Sequence, residues 1–144
     1  MAILFFTDEV KLPDKFPKRK LKQWIHTIIN NHQKETGNIG FIFCTDQKIL
    51  EINNQFLNHN YFTDIITFDY NENNTINGEI YISYETVKTN SIDYKTNFLQ
   101  ELFRVMIHGV LHLCGIKDKR KREKKIMKEE ENKALKVLQK YINF

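Results

Sequence analysis

The feature that most constrains this chain is a long, mostly apolar segment at residues 97–114. Its length predicts a helix rather than a strand. Asn97 and Gln100 fit a capping pair at its start, and Gly115 fits a glycine stop at its end. A helix that is apolar on nearly every side has to be buried, so the rest of the chain must surround it.

The remaining sequence supplies short elements that can cover such a helix. Four segments have the composition of strands, and the last two are plausible hairpin partners across an asparagine-rich turn. Amphipathic helices are predicted between and after the strands. The predicted strands are residues 2–7, 38–45, 64–70 and 78–84. Besides the long apolar helix, one helix is predicted to start near Pro17 and stop by Gly37, and a second to start at a cap at Asp46. A short helical turn is predicted at 85–91 and a last helix at about 120–142. This order predicts one α+β domain, residues 1–144, in which a small mixed four-stranded sheet packs with about five helices.

The cysteines, the N-terminus and the net charge indicate in which compartment, and with which kind of partner, the protein is expected. Cys44 and Cys114 lie in apolar runs and form no C-x-x-C pair, which favours a reducing compartment and argues against a thiolate zinc site. The N-terminus lacks the pattern of a secretory signal, and no apolar run reaches the ~20 residues that span a bilayer. We therefore expect a cytoplasmic protein with no membrane partner. A net charge of +4 permits a nucleic-acid partner without requiring one.

The central helix carries one narrow polar stripe. At helical spacing, Glu101, Arg104, His108 and His112 fall on one side, and nearly every other side chain of the helix is apolar. Buried charges require partners or a metal ion. His108 and His112 are four residues apart, which places both imidazoles on one face for a shared ion. After Gly115 ends the helix, Asp118 can bring a carboxylate to the same ion.

These residues predict a catalytic site for one metal ion, Zn²⁺, at the end of the buried helix. Two histidines and one carboxylate leave a fourth position for water, as in catalytic rather than structural zinc sites. Simpler interpretations remain: the histidines could be ordinary hydrogen-bonded residues, and Asp118 could be a solvated aspartate within the basic run at residues 117–125. Arg104 could bind phosphate or form a salt bridge with Glu101.

The spacing H-x3-H-x2-G-x2-D matches the frame of a metzincin-type protease, but the glutamate that serves those enzymes as a base is missing. Gly109 stands in its place. Glycine cannot accept a proton, although it could let a bulky substrate approach the metal. This difference argues against peptide hydrolysis.

Three motifs together resemble the YbeY family of ribosomal RNA maturation factors. Residues 108–115 (HGVLHLCG) look like the family's H-G-x-L-H-L-x-G signature; residues 63–68 (TDIITF) and 78–83 (GEIYIS) are similar to its T-D-V-L-S-F and G-D-I-x-I-S strands. The resemblance implies a zinc-dependent single-strand endoribonuclease that acts in small-subunit rRNA processing and ribosome quality control. Its implied partners are single-stranded RNA and the ribosome or ribosomal proteins.

Two positions depart from the family pattern. Asp118 stands where the family usually has a third histidine, and Leu57 stands where it usually has an arginine before the T-D-V-L-S-F strand. Arg104 is therefore the candidate for an RNA phosphate contact, and Glu79 is a further catalytic candidate, with Asp64 and Glu101 as weaker possible bases. Basic clusters at residues 15–22 and 117–125 offer additional phosphate contacts, although such runs are often only solvated surface.

Two other functions remain open at this point. The chain could be a ribosome assembly factor whose metal is mainly structural, which the departures at Leu57 and Asp118 would fit. It could also be a metal-dependent hydrolase of another substrate, which Gly109 disfavours for peptides.

Overall fold

The computed structural model describes residues 2–57 and 63–144. None of the described helices is both long and apolar enough to cross a bilayer. In chain order the elements are β1 (Ala2–Thr7), α1 (Lys18–Asn31), β2 (Glu35–Cys44), α2 (Asp46–Leu57), β3 (Ile65–Asp69), β4 (Thr75–Ser83), α3 (Tyr84–Asp93), α4 (Phe98–Leu113) and α5 (Lys121–Leu138).

The four strands form one mixed sheet in the order β1-β2-β4-β3. β1 pairs in parallel with β2, and β2 pairs in parallel with β4. β3 and β4 form an antiparallel hairpin, with Ile65 opposite Ile82 and Asp69 opposite Gly78. The α+β class, the four-stranded mixed sheet and the hairpin are therefore confirmed.

Helix α4 is the centre of the packing. It lies against β3 and β4 on one side and against α1, α3 and α5 on the others. From Leu102 to Leu113 every residue is buried except Arg104, His108 and His112. The apolar helix thus has the central place predicted for it, and α2 covers a smaller apolar cluster around Ile49 and Ile66.

Both ends of α4 follow the sequence signals. The Asn97 side chain accepts hydrogen bonds from the backbone N–H groups of Leu99 and Gln100, as a helix cap does. At the other end Gly115 has φ +103°, and its N–H donates to the carbonyl of His112. The left-handed glycine stops the helix, as predicted.

Helix α1 ends at Asn31, before Gly37 as predicted, and Gln33, with φ 59°, takes the left-handed position after it. Gly37 lies inside β2, where an added Cβ would be 2.7 Å from the Ile76 carbonyl oxygen. A close approach between neighbouring strands, rather than a helix end, therefore accounts for this glycine.

The cap of α2 is Thr45 rather than Asp46. The Thr45 hydroxyl accepts from the Lys48 N–H at 3.2 Å, while Asp46 is already the first residue of the helix. The Asp46 carboxylate instead accepts hydrogen bonds from the Ser83 and Thr86 hydroxyls. It therefore ties the start of α2 to the start of α3.

Gly78 allows the end of α4 to approach β4, and its replacement tests this packing. An added Cβ would lie 2.6 Å from the Phe68 carbonyl oxygen and 2.9 Å from the Leu113 side chain. We expect Gly78→Ala to lower the free energy of unfolding, measured by urea denaturation, by about 1–3 kcal/mol through overpacking. Gly40→Ala is the matched strand control, because a Cβ there would meet Phe6 at an ordinary 3.6 Å. Equal losses in the two variants would contradict the steric explanation.

Candidate metal centre and adjoining cleft

The two histidines of α4 stand one helical turn apart on its only half-buried side. Their ring centroids are 4.6 Å apart and the rings are nearly perpendicular, at 84°. Their side chains are 21% and 28% exposed for His108 and His112. Because the sheet and the neighbouring helices cover the other sides of α4, both imidazoles face the same partly open region.

The turn at Gly115 brings Asp118 back to the histidines. His108 Nε2 lies 3.2 Å from Asp118 Oδ2, and His112 Nε2 lies 3.3 Å from Asp118 Oδ1. Each of the three residues offers one ligand atom, and these atoms all lie within 4.8 Å of one another. The structure therefore brings together the three side chains that the sequence spacing grouped.

The donor set and its spacing fit a small divalent ion. Zinc bonds of about 2.0–2.2 Å to nitrogen and oxygen place neighbouring tetrahedral ligand atoms ~3.3–3.5 Å apart. The two histidine–aspartate distances are close to that value. All three side chains also remain partly exposed, and Asp118 is 34% exposed. Such a group is accessible to substrate, unlike a closed structural zinc site.

Glu131 on α5 is the residue of this region that the sequence did not reveal. Its Oε2 lies 2.6 Å from His108 Nδ1, and its Oε1 accepts from Arg104 Nη1 at 2.9 Å. The residue is only 8% exposed. One feature of the sequence could have drawn attention to it: this glutamate lies on the apolar face of α5, among residues that are all buried, namely Met127, Ala134, Leu135 and Leu138.

Arg104 has a different partner from the one considered in the sequence. Its Nη1 forms the ion pair with Glu131, and its Nη2 donates to Asn132 Oδ1 at 2.8 Å. The salt bridge is thus made to α5 and not to Glu101, three residues away on α4. Arg104 also lines an open cleft between α4 and α5, beside His108.

Burial and charge shift the pKa values of several groups here. Burial alone lowers the pKa of His108, but the hydrogen bond and charge of Glu131 and the charge of Asp118 outweigh it and raise that pKa above its usual value. Burial raises the pKa of Asp64, and the charge of His108 offsets part of the rise. Asp64 therefore lies within electrostatic reach of His108.

Gly109 faces the sheet and not the cleft. An added Cβ would lie 3.0 Å from side-chain carbons of both Ile65 and Ile80. The idea that this glycine opens a path for substrate is therefore corrected, because its role is to let the helix pack closely on β3 and β4. A glutamate at this position would have no room in the same packing.

Glu79 does not join the histidines. Its neighbours on β4, Gly78 and Ile80, face α4, so the alternation of a strand points Glu79 to the other side of the sheet. There its Oε1 accepts a hydrogen bond from the Tyr70 hydroxyl at 2.9 Å. The structure thus places this candidate away from His108, His112 and Asp118.

A cleft of about 550 Å³ between α4 and α5 opens beside the candidate metal centre. Lys124 and Lys128, one turn apart on α5, line it together with the aromatic ring of Tyr94, a residue that is 65% exposed. The residues around the cleft are Tyr94, Glu101, Arg104, His108, Asp118, Lys124, Met127, Lys128 and Glu131. Metal-ligand candidates, two lysines and an exposed aromatic ring therefore share one surface.

The basic clusters predicted from the sequence contribute little to this cleft. Among the lysines and arginines of the run at 117–125, Lys124 lines it. In the N-terminal cluster, Lys22 lies over the Phe5 ring, 5.9 Å from its centroid. Leu57 ends α2 and is 40% exposed, and the residues that follow it, 58–62, are outside the described part of the chain.

A protein-family model described as endoribonuclease YbeY matches residues 6–139. The chain is 49% identical over 138 residues to a protein named endoribonuclease YbeY from Parabacteroides distasonis, and the match covers 96% of each chain. It is 52% identical over 135 residues to a protein of the same name from Bacteroides fragilis, covering 94% of this chain and 96% of that one.

The fold has a counterpart among solved structures. A solution structure of a protein from Thermotoga maritima superposes with a TM-score of 0.68 at 27% sequence identity. The match covers 95% of this chain and 89% of the other. The arrangement of sheet and helices described above is therefore shared over nearly the whole chain.

Metal loading tests the ligand group directly. We expect the protein, stripped with a chelator and reloaded, to retain one equivalent of Zn²⁺ by elemental analysis, and His112→Ala to retain far less because a ligand nitrogen is lost. His26→Ala is the control, since His26 lies on α1 and contacts Thr36 and Asn30. A full equivalent of zinc in His112→Ala would rule out the assignment.

Proposed function

Because the chain belongs to the YbeY endoribonuclease family, we propose that it is a zinc-dependent enzyme that cleaves single-stranded RNA. The prediction that the chain is a nuclease, and hence a hydrolase of phosphodiester bonds, is confirmed by this membership. The proposed substrate is ribosomal RNA, with small-subunit rRNA maturation and ribosome quality control as the cellular role. Ribosomal proteins are the proposed protein partners.

The observation that carries the proposal is the place of His108, His112 and Asp118 at the edge of a cleft lined by lysines. Nucleic-acid affinity comes largely from contacts with backbone phosphates. A partly exposed ligand group beside such a surface suits a phosphodiester substrate.

The residues present fit a zinc ion held by His108 Nε2, His112 Nε2 and one Asp118 oxygen. When bound, such an ion lowers the pKa of water to ~7 and polarises a phosphoryl oxygen. Asp118 in place of the family's usual third histidine replaces a neutral nitrogen donor with an anionic oxygen donor and makes the net charge of the site less positive. That change should weaken the attraction of the site for phosphate, so that phosphate binding depends more on the neighbouring lysines.

The remaining cleft residues have separate tasks in this proposal. Lys124 and Lys128 bind backbone phosphates of the RNA, while Tyr94 offers a face on which an unpaired base can stack. Glu101 lines the same cleft, and burial raises the pKa of its carboxyl, partly offset by the charge of Arg104. Its carboxyl is our candidate for proton exchange with the substrate, and a direct phosphate contact by Arg104 stays a prediction.

The alternatives fit the site less well. A mainly structural metal would be enclosed, whereas Asp118 is 34% exposed and lines an open cleft. Peptide hydrolysis by a metzincin-type mechanism would need a base at position 109, where the packing of Gly109 on Ile65 and Ile80 leaves no space.

Cleavage of a single-stranded RNA of defined sequence tests the activity. We expect the zinc-loaded protein to cut it, a chelator to stop cleavage, and His112→Ala, purified in parallel, to be inactive because the metal is lost. His26→Ala should cleave at the rate of the unchanged protein. Equal cleavage by the unchanged protein and His112→Ala would mean that a contaminating nuclease is responsible.

The lysines of the cleft can be tested with a charge-matched pair. Lys124→Ala combined with Lys128→Ala should weaken RNA binding and reduce its salt dependence by about two phosphate contacts, measured as the slope of log K against log salt. Lys121→Ala combined with Lys125→Ala removes the same charge at the same spacing on α5, outside the cleft lining. If both pairs reduce the slope equally, general charge and not the cleft governs RNA binding.

A further inference from the structure

We propose that Glu131 is a positioning residue that fixes the tautomer and orientation of His108, and that Arg104 holds Glu131 in place for this task. The inference rests on the metal centre proposed above and adds a residue from another helix to it. It also gives Arg104 a role that needs no contact with RNA.

The two oxygens of Glu131 have different partners. Oε2 is 2.6 Å from His108 Nδ1, and Oε1 is 2.9 Å from Arg104 Nη1. The carboxylate is therefore held from both sides, and it cannot turn toward the arginine without leaving the imidazole. Its 8% exposure limits the access of water as a competing partner.

This geometry determines which ring nitrogen of His108 carries the proton. An ionised carboxylate only accepts hydrogen bonds, so Nδ1 must be the donor. Asp118 also faces the ring, but its oxygen is 3.2 Å from Nε2 and it is the more exposed carboxylate, whereas Glu131 is 2.6 Å from Nδ1 and buried. The shorter, buried contact keeps the single proton of the neutral imidazole on Nδ1 and leaves the lone pair on Nε2. That nitrogen is the one that lies 3.2 Å from Asp118, on the side where the ion would bind. Carboxylates that accept from the second nitrogen of a metal-binding histidine orient the ring in the same way and make it a better ligand.

Arg104 is the cationic partner that the buried Glu131 carboxylate needs. A buried charge without a partner is costly, and the guanidinium supplies both the opposite charge and a hydrogen bond. Arg104 also donates to Asn132, the next residue of α5, at 2.8 Å. Two contacts thus anchor the arginine to α5 on the same turn as Glu131. Helix α5 provides none of the three ligand side chains, yet it sets how one of them is presented.

The proton position can be read without metal. In the apo protein, at a pH high enough for the ¹⁵N chemical shifts of His108 to show a neutral ring, long-range ¹H–¹⁵N correlation spectra should place its proton on Nδ1. Glu131→Ala removes the acceptor, so the proton should move to Nε2 in that variant. Glu131→Gln retains an acceptor oxygen and should keep the Nδ1–H form. Glu129→Gln, which alters an exposed glutamate two residues away, should match the unchanged protein.

Zinc affinity, measured by competition with a chelating dye, is the second readout. Losing a partner of this kind typically weakens metal binding by about 10–100-fold, and we expect that loss in Glu131→Ala. Glu131→Gln should show a smaller loss that still exceeds the Glu129→Gln control, because it removes the charge but keeps the hydrogen bond. If Glu131→Ala does not fold, as judged by circular dichroism, the glutamine variant decides the question.

The outcomes separate the two proposals. Nε2–H in the unchanged protein, or zinc affinities of the Glu131 variants equal to that of Glu129→Gln, would overturn the role of Glu131. A merely structural link between α4 and α5 would change the melting temperature of Glu131→Gln without changing its zinc affinity, and this result too would overturn the proposal. If the unchanged protein shows Nδ1–H but binds no zinc, the metal centre fails while the tautomer assignment stands.

Discussion

Helix α4 can lie directly on the sheet because glycines stand where the helix and the strands meet. Gly109 on the helix faces Ile65 and Ile80, and Gly78 on β4 faces Leu113. The sheet covers one side of the helix at close range, and α1, α3 and α5 pack against its other sides. The half-buried stripe with Arg104, His108 and His112 is therefore the part of the helix that stays partly exposed. The histidines face the α5 side of the molecule because every other direction is filled.

The C-terminal end of α4 is also fixed by a contact with the sheet. The Asn71 side chain, in the hairpin between β3 and β4, donates to the Leu113 carbonyl at 2.7 Å and accepts from the Asn77 N–H at 2.8 Å. Gly115 then reverses the chain just beyond this contact. The sheet therefore sets where the helix stops, and the stop sets where Asp118 begins its return to His108 and His112.

Local features were readable from the sequence, and contacts between distant segments were not. The cap at Asn97, the stop at Gly115 and the stripe that contains His108 and His112 depend on neighbours within a few residues, so the spacing predicted them. Glu131 lies 23 residues from His108 and acts through helix packing that no spacing encodes. For the same reason the sequence could not show which way Glu79 and Gly109 point relative to the sheet.

The three ligand candidates all lie within residues 108–118, whereas Glu131 arrives from a separate helix. Contacts between residues close in the chain cost little loop-closure entropy, so once the sheet has fixed the end of α4 the ligand group can assemble before α5 docks. A partly folded chain could then already capture an ion weakly, with His108 free to rotate. Docking of α5 would bring Glu131 against His108 and complete the site. Tight metal binding would then indicate that α5 had packed against α4.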